Sequence, residues 1–166
     1  ETVASFDCAL DAGSFFLRAA PLFAALNDGH VSLNLGYAFE QWGYGGGRMF
    51  PLLVTFDGDD MYVAIPTDEA LPKGTQIDSV DGIPAAESVK SLVALQGAQT
   101  PLLRSALAPT LIRQFYYARY GERASFEGTA SRDGRRLNRQ VRALPYDALH
   151  GFIPMFQVGL GPLWSK

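Results

Sequence analysis

A single cysteine, Cys8, stands in 166 residues, and that scarcity excludes an internal disulfide and any thiolate cluster. The thiol reads as a small, buried, inert hydrophobe. Long apolar runs are missing as well. PLLVTF and GFIPMF are far too short to cross a bilayer, and the N-terminus lacks the basic-then-apolar order of a signal peptide. The chain therefore reads as soluble, without a membrane-spanning segment, and as either mature or excised from something longer. No Walker-type loop, dinucleotide fingerprint or cysteine-histidine metal spacing occurs, so neither a cofactor nor a metal site is expected.

Charge of one sign is short in each half. Residues 1–90 carry 13 acids and 4 bases, whereas residues 104–142 carry 9 arginines and 3 acids. A nucleic-acid footprint would cluster such arginines within a recognised motif, but here they are spread over a helix and a hairpin. Pairing with the acidic half, or plain solvation, is the expected use, and nucleic acid is not an expected partner. With 48% hydrophobic residues the chain has enough apolar mass for a sizeable core, in one domain or two small ones.

The pattern along the chain is α+β. Residues 14–26, SFFLRAAPLFAAL, predict a buried helix with Ser14 as N-cap, with Phe15, Leu22, Phe23 and Leu26 near helical spacing, and with a kink or restart at Pro21. Asn27-Asp28-Gly29 supplies a left-handed stop. From His30 the period changes to two, so Val31, Leu33 and Leu35 predict one face of a short strand. Residues 36–50, with five glycines and five aromatics, read as a loop, either a flexible cover beside a site or a plain linker.

Two hairpins follow from Asp-Gly turns between strand-like runs: FPLLVTF and MYVAI around DGDD, then ASFEGTASR and RLNRQVRAL around Asp133-Gly134. Between them Ile77 and Val80 predict a short strand, Asp81-Gly82 a turn, and Pro84 the start of a helix carrying Val89 and Leu92. Residues 93–121 predict further helix, broken at Gly97, Pro101 and Pro109 and stopped at Gly121. Within it Phe115, Tyr116, Tyr117 and Tyr120 read as a core stripe first and a peptide groove second. Trp42 and Trp164, near glycines, read as packing anchors. Residues 145–166 predict an apolar tail whose partner surface lies in other sequence.

Leu71-Pro72, Gly74, Ile77, Val80, Asp81-Gly82 and Pro84, ahead of a helix and a closing hairpin, resemble the signature of a bacterial PDZ-type module, with Lys73 inserted before the glycine. Leu26-Asn27-Asp28-Gly29-His30, continued by Ser32-Leu33 and placed upstream, is similar to the front half of the tail-specific (C-terminal-processing) serine peptidases, especially their tricorn-core-like branch. The order of parts matches over residues 14–144, although the helical stretch 93–121 is longer than a minimal PDZ domain contains.

The resemblance implies an N-terminal helical segment (1–49), a PDZ-like small β-sandwich or barrel with a helical insertion at about 93–121 (50–144), and a tail (145–166) leading toward a missing catalytic domain of the same parent chain. It implies that His30 is the general base for a serine nucleophile, that the substrate is a polypeptide, and that the parent is periplasmic or secreted. The nucleophile is expected beyond this chain. GTASRDG, residues 128–134, imitates a catalytic-serine phrase, but Ser131 lies on a hairpin shoulder and reads as structural.

Away from the phrase around it, a histidine at a helix end caps the helix or complements its dipole. Asp28 is either an orienting partner for His30 or only a turn former, and Ser32 either a supporting donor or an exposed strand serine. His150 has no matching motif and reads as structural. A catalytic base must have its imidazole at least partly open to solvent. A non-catalytic peptide-binding or ligand-binding module, or an assembly domain, is the alternative reading of the same parts.

Overall fold

A computed structural model describes residues 10–67 and 71–150, the side chains of Ala38, Leu149 and His150 excepted. Cys8, Trp164 and the expected tail beyond residue 150 lie outside the described residues. The architecture is α+β. Helices α1 (Ala12–Ala24), α2 (Gly36–Tyr44), α3 (Ala85–Leu95), α4 (Pro101–Leu107), α5 (Ile112–Tyr120) and α6 (Tyr146–His150) accompany strands β1 (Arg48–Met49), β2 (Leu53–Asp57), β3 (Asp60–Ile65), β4 (Gln76–Val80), β5 (Ile83–Pro84), β6 (Ser125–Arg132), β7 (Arg135–Arg142) and β8 (Leu144–Pro145).

The main sheet is antiparallel and runs β2-β3-β4-β6-β7, with β5 folded back on β4. Both expected hairpins form. Val54 pairs with Val63 across the first, and Phe126 with Val141 across the second. The second turns on Asp133 and Gly134 at φ of 50° and 73°, and the turn ahead of β5 places Asp81 and Gly82 at 48° and 79°. Two successive left-handed residues match the right-handed twist of the flanking strands, which is why Asp-Gly serves at both corners. Strand β1 pairs with β8, so the chain after residue 144 returns to the segment that precedes the sheet.

Helix α1 departs from its expected form in three ways. Asp11, not Ser14, caps it: the Asp11 carboxylate accepts the Ser14 backbone N–H at 2.9 Å and the Ser14 hydroxyl at 2.7 Å. Those bonds, the hydroxyl's foremost, hold the Asp11 carboxyl below its usual range. Pro21 is accommodated inside one continuous helix. The buried face is Phe16, Ala19, Ala20 and Ala24, while Phe15, Leu22, Phe23 and Leu26 stay between 38% and 64% exposed. The reason is distance. A Cβ on Gly13 would lie 2.8 Å from the Ala118 carbonyl oxygen of α5, so the helices touch at Gly13, and the buried face is made of glycine and alanines with Phe16 the one large side chain buried among them.

Two further expectations fail next to it. Residues 31–35 form no strand, although Leu33 and Leu35 do pack against the core. Residues 36–44, expected as loop, are helix α2. Its glycines sit mainly at the ends, Gly36 at φ 54° on entry and Gly46 at 93° just past the exit, and its middle is fastened by aromatics. Phe39 meets Tyr117 edge-on at 5.2 Å, and Trp42 lies over Tyr117 at 4.1 Å. Packing repays an ordering cost that propensity alone would not.

One core joins α1, α3, α5 and the sheet. At its centre Tyr116 stacks on Phe50 at 4.3 Å and meets Phe126 at 5.9 Å, with Phe50 and Phe126 edge-to-face at 5.1 Å. Burial pushes the Tyr116 phenol strongly up, so it stays protonated. The stripe on α5 is core at Phe115 and Tyr116, as expected. The charge asymmetry is partly used in pairing: Arg123 reaches Asp81 at 2.8 Å and Arg119 reaches Glu87 at 3.4 Å.

Phe50→Ala should lower stability by about 3–5 kcal/mol, because it empties the centre of this aromatic group. Leu26→Ser should change it by less than about 0.5 kcal/mol. Urea unfolding of the two variants checks both values, and a larger loss for Leu26 would place that side chain in the core.

Candidate active site around His30

Asn27, at φ 55°, turns the chain out of α1, so the left-handed stop falls on the first residue of Asn27-Asp28-Gly29. Three distant elements then hold the segment that carries His30. From α4, Arg104 Nη2 donates to the Ala24 carbonyl at 3.0 Å and to Asn27 Oδ1 at 2.7 Å. From the link between α3 and α4, Gly97 lies so close that a Cβ there would be 2.6 Å from the Val31 oxygen and 2.9 Å from the Asp28 oxygen. From α5, Gln114 Oε1 accepts the Leu35 N–H at 2.9 Å. A clamp of side chain and backbone thus replaces the rigid strand expected behind the histidine.

The imidazole itself is 90% exposed. Asp28 Oδ1 accepts the His30 backbone N–H at 2.9 Å and lies 3.1 Å from Nδ1. The backbone N–H first, and the imidazole second, hold the Asp28 carboxyl below the usual carboxylate range. When Nδ1–H donates to Asp28, the Nε2 lone pair is left to accept a proton from an incoming hydroxyl. A base oriented through its second ring nitrogen by a carboxylate is the pairing that nucleophilic hydrolysis uses. Asp28 is 48% exposed, so its electrostatic pull on the ring is screened, and its effect is chiefly one of orientation.

The other residues singled out in the sequence lie elsewhere or do other work. Ser32 is exposed. Ser131 donates its hydroxyl to Asp78 Oδ2 at 2.6 Å across the sheet, which ties down a strand shoulder. Trp42 donates to Glu122 at 3.1 Å. The His150 side chain is outside the described residues. Among the described residues no group of three or more His, Cys, Asp or Glu could hold a metal ion, and no helix is long and apolar enough to cross a membrane. Sequence reasoning missed Arg104, Gly97 and Gln114. Thr100-Pro101 marks the start of the helix bearing Arg104, but nothing local connects that arginine to Asn27, 77 residues away.

An α+β arrangement of an N-terminal helix, antiparallel sheet and further helices is shared with a segment of a larger solved protein. That structure is mature CPAF complexed with lactacystin, with a TM-score of 0.51 and 19% identity over 80% of this chain. A structure of mature CPAF aligns with a TM-score of 0.47 and 16% identity over 81% of this chain. The chain spans 25% of the length of each. No family model and no curated sequence matches.

Gly97→Ala should cost about 1–3 kcal/mol, since the obstructing atoms are backbone carbonyls that cannot swing aside. It should also shift the amide resonances of residues 28–31, and unchanged resonances would deny the close approach. Asp28 adds a pH dependence. Its pKa is lowered on folding, so its contribution is present above the unfolded value of about 3.9 and is lost as pH falls through the lower folded value. Below about pH 4 the Asp28→Asn variant should therefore lose stability less steeply than the wild type, as read from urea midpoints.

Proposed function

We propose that the chain is the front part of a serine peptidase of the tail-specific type, with His30 as its general base. The observation that carries the reading is the imidazole of the Leu-Asn-Asp-Gly-His phrase: exposed, backed by Asp28 at Nδ1, and mounted on a segment clamped from three sides. A base needs that combination of access and fixed orientation. The likeness of the fold to a quarter of CPAF, a chlamydial serine protease, supports a peptidase lineage.

The nucleophilic serine belongs to a catalytic domain elsewhere in the parent. His30 Nε2 takes the hydroxyl proton as the serine attacks the scissile carbonyl, and gives it to the leaving amine as the acyl-enzyme forms. Residues 50–144 act as a PDZ-like module that takes an extended polypeptide by adding it as a strand at a sheet edge. The parent works in the periplasm or outside the cell, as in the family that its phrases resemble. On this reading the chain alone is inactive, because the nucleophile lies in that other domain, and Ser131 serves the sheet by donating its hydroxyl to Asp78.

In the full-length parent, His30→Ala should lower kcat for peptide hydrolysis by about 10⁴-fold or more, with little change in KM. Asp28→Asn should lower it by less. Turnover of a fluorogenic peptide measures both, and activity within tenfold of wild type in His30→Ala would remove His30 from the mechanism.

A further inference from the structure

A cleft of about 290 Å³ opens between α2, α5 and β2. Its apolar floor includes Leu53, Val54 and Ile112, all buried. Its wall carries Arg113 and Gln114. The surface arginines Arg119, Arg123 and Arg132 each meet a carboxylate. Arg113 is partly buried, and burial pulls its pKa down, yet it forms no ion pair among the described residues. Its hydrogen bond goes to the Met49 sulfur at 3.9 Å, a weak acceptor that neutralises nothing. Arg113 is thus a cation that burial penalises and that no described carboxylate offsets. Beside it, Gln114 has given its carbonyl oxygen to the Leu35 N–H, which leaves its NH₂ as a second donor with no partner among the described residues.

We propose that this cleft binds a carboxylate carried on an apolar body, with Arg113 gripping the anion, the Gln114 amide donating to it, and Leu53, Val54 and Ile112 receiving the body. A guanidinium fork matches the two oxygens of a carboxylate. Glu40, exposed at the lip, disfavours a more highly charged anion, which argues for a carboxylate over a phosphate. The carboxylate is either that of a free organic acid or an Asp or Glu side chain of a polypeptide.

Calorimetric titration of the 166-residue chain with 4-methylpentanoate, 4-methylpentanamide and inorganic phosphate tests the chemistry. A second arm uses two peptides blocked at both ends, differing only in a central Glu or Gln between leucines. The carboxylate is expected to bind at least about tenfold more tightly than its amide, and Arg113→Gln to abolish that preference. Glu40→Gln should tighten the binding. If Arg113→Gln does not fold, Arg113→Lys is read instead, since it keeps the charge and loses the fork. Tighter binding of the Glu peptide than of the free acid assigns the site to an acidic side chain, and the reverse order assigns it to a small organic acid. Equal affinity for acid and amide, tighter binding of phosphate, or no binding by either carboxylate source would overturn the proposal.

Discussion

Tyr116, fully buried and stacked on Phe50 at 4.3 Å, seats helix α5, and most of what lies around the candidate site depends on that seat. Inward, α5 gives Ile112, Phe115 and Tyr116 to the core. Along its length, Ala118 sets the close approach of α1, Gln114 holds the segment leading from His30, Tyr117 fastens α2, and Arg113 lines the cleft. A helix of nine residues is too short to be stable by itself, so these outward positions hold only because the inward face is packed.

The candidate catalytic histidine shows how a chain keeps an exposed group oriented. Burial would fix the ring but shut out the substrate. Here the ring is left in solvent, and the backbone beneath it is fixed instead, by Arg104 on the Asn27 side, by Gly97 under the turn, and by Gln114 beyond it. The carboxylate of Asp28, which accepts the His30 backbone N–H and lies against the His30 ring, adds a local brace. Orientation of the ring thus rests on groups that are themselves far from any chemistry.

Local signals were legible where turn chemistry decides. The two hairpins, the Asp81-Gly82 corner, the helix after Pro84 and the stop at Gly121 all follow from residues within a few positions of one another. The α+β class followed from them, and so did His30 as an exposed residue past a left-handed stop. Three local readings failed for one shared reason. The buried face of α1, the missing strand at 31–35 and the helix at 36–44 are each set by what α5 and its neighbours present to them. Apolar periodicity favoured Phe15, Leu22, Phe23 and Leu26, but the contact of Gly13 with Ala118 turns Phe16 and the alanines to the core instead. Glycine-rich residues 36–44 looked like loop, but Tyr117 supplies a packing surface that makes the helix worth forming.

The sequence by itself determined the turns, the strands on either side of them, the class of fold, and the phrase that marks His30, because these rest on backbone preferences and on spacing along the chain. Only the tertiary structure decided which face of α1 is buried, what holds the His30 segment in place, and that Arg113 lines a cleft without a counter-ion. Those outcomes depend on distances between residues far apart in the chain, such as Ala24 and Arg104, 80 positions from one another, and no local pattern encodes such a distance.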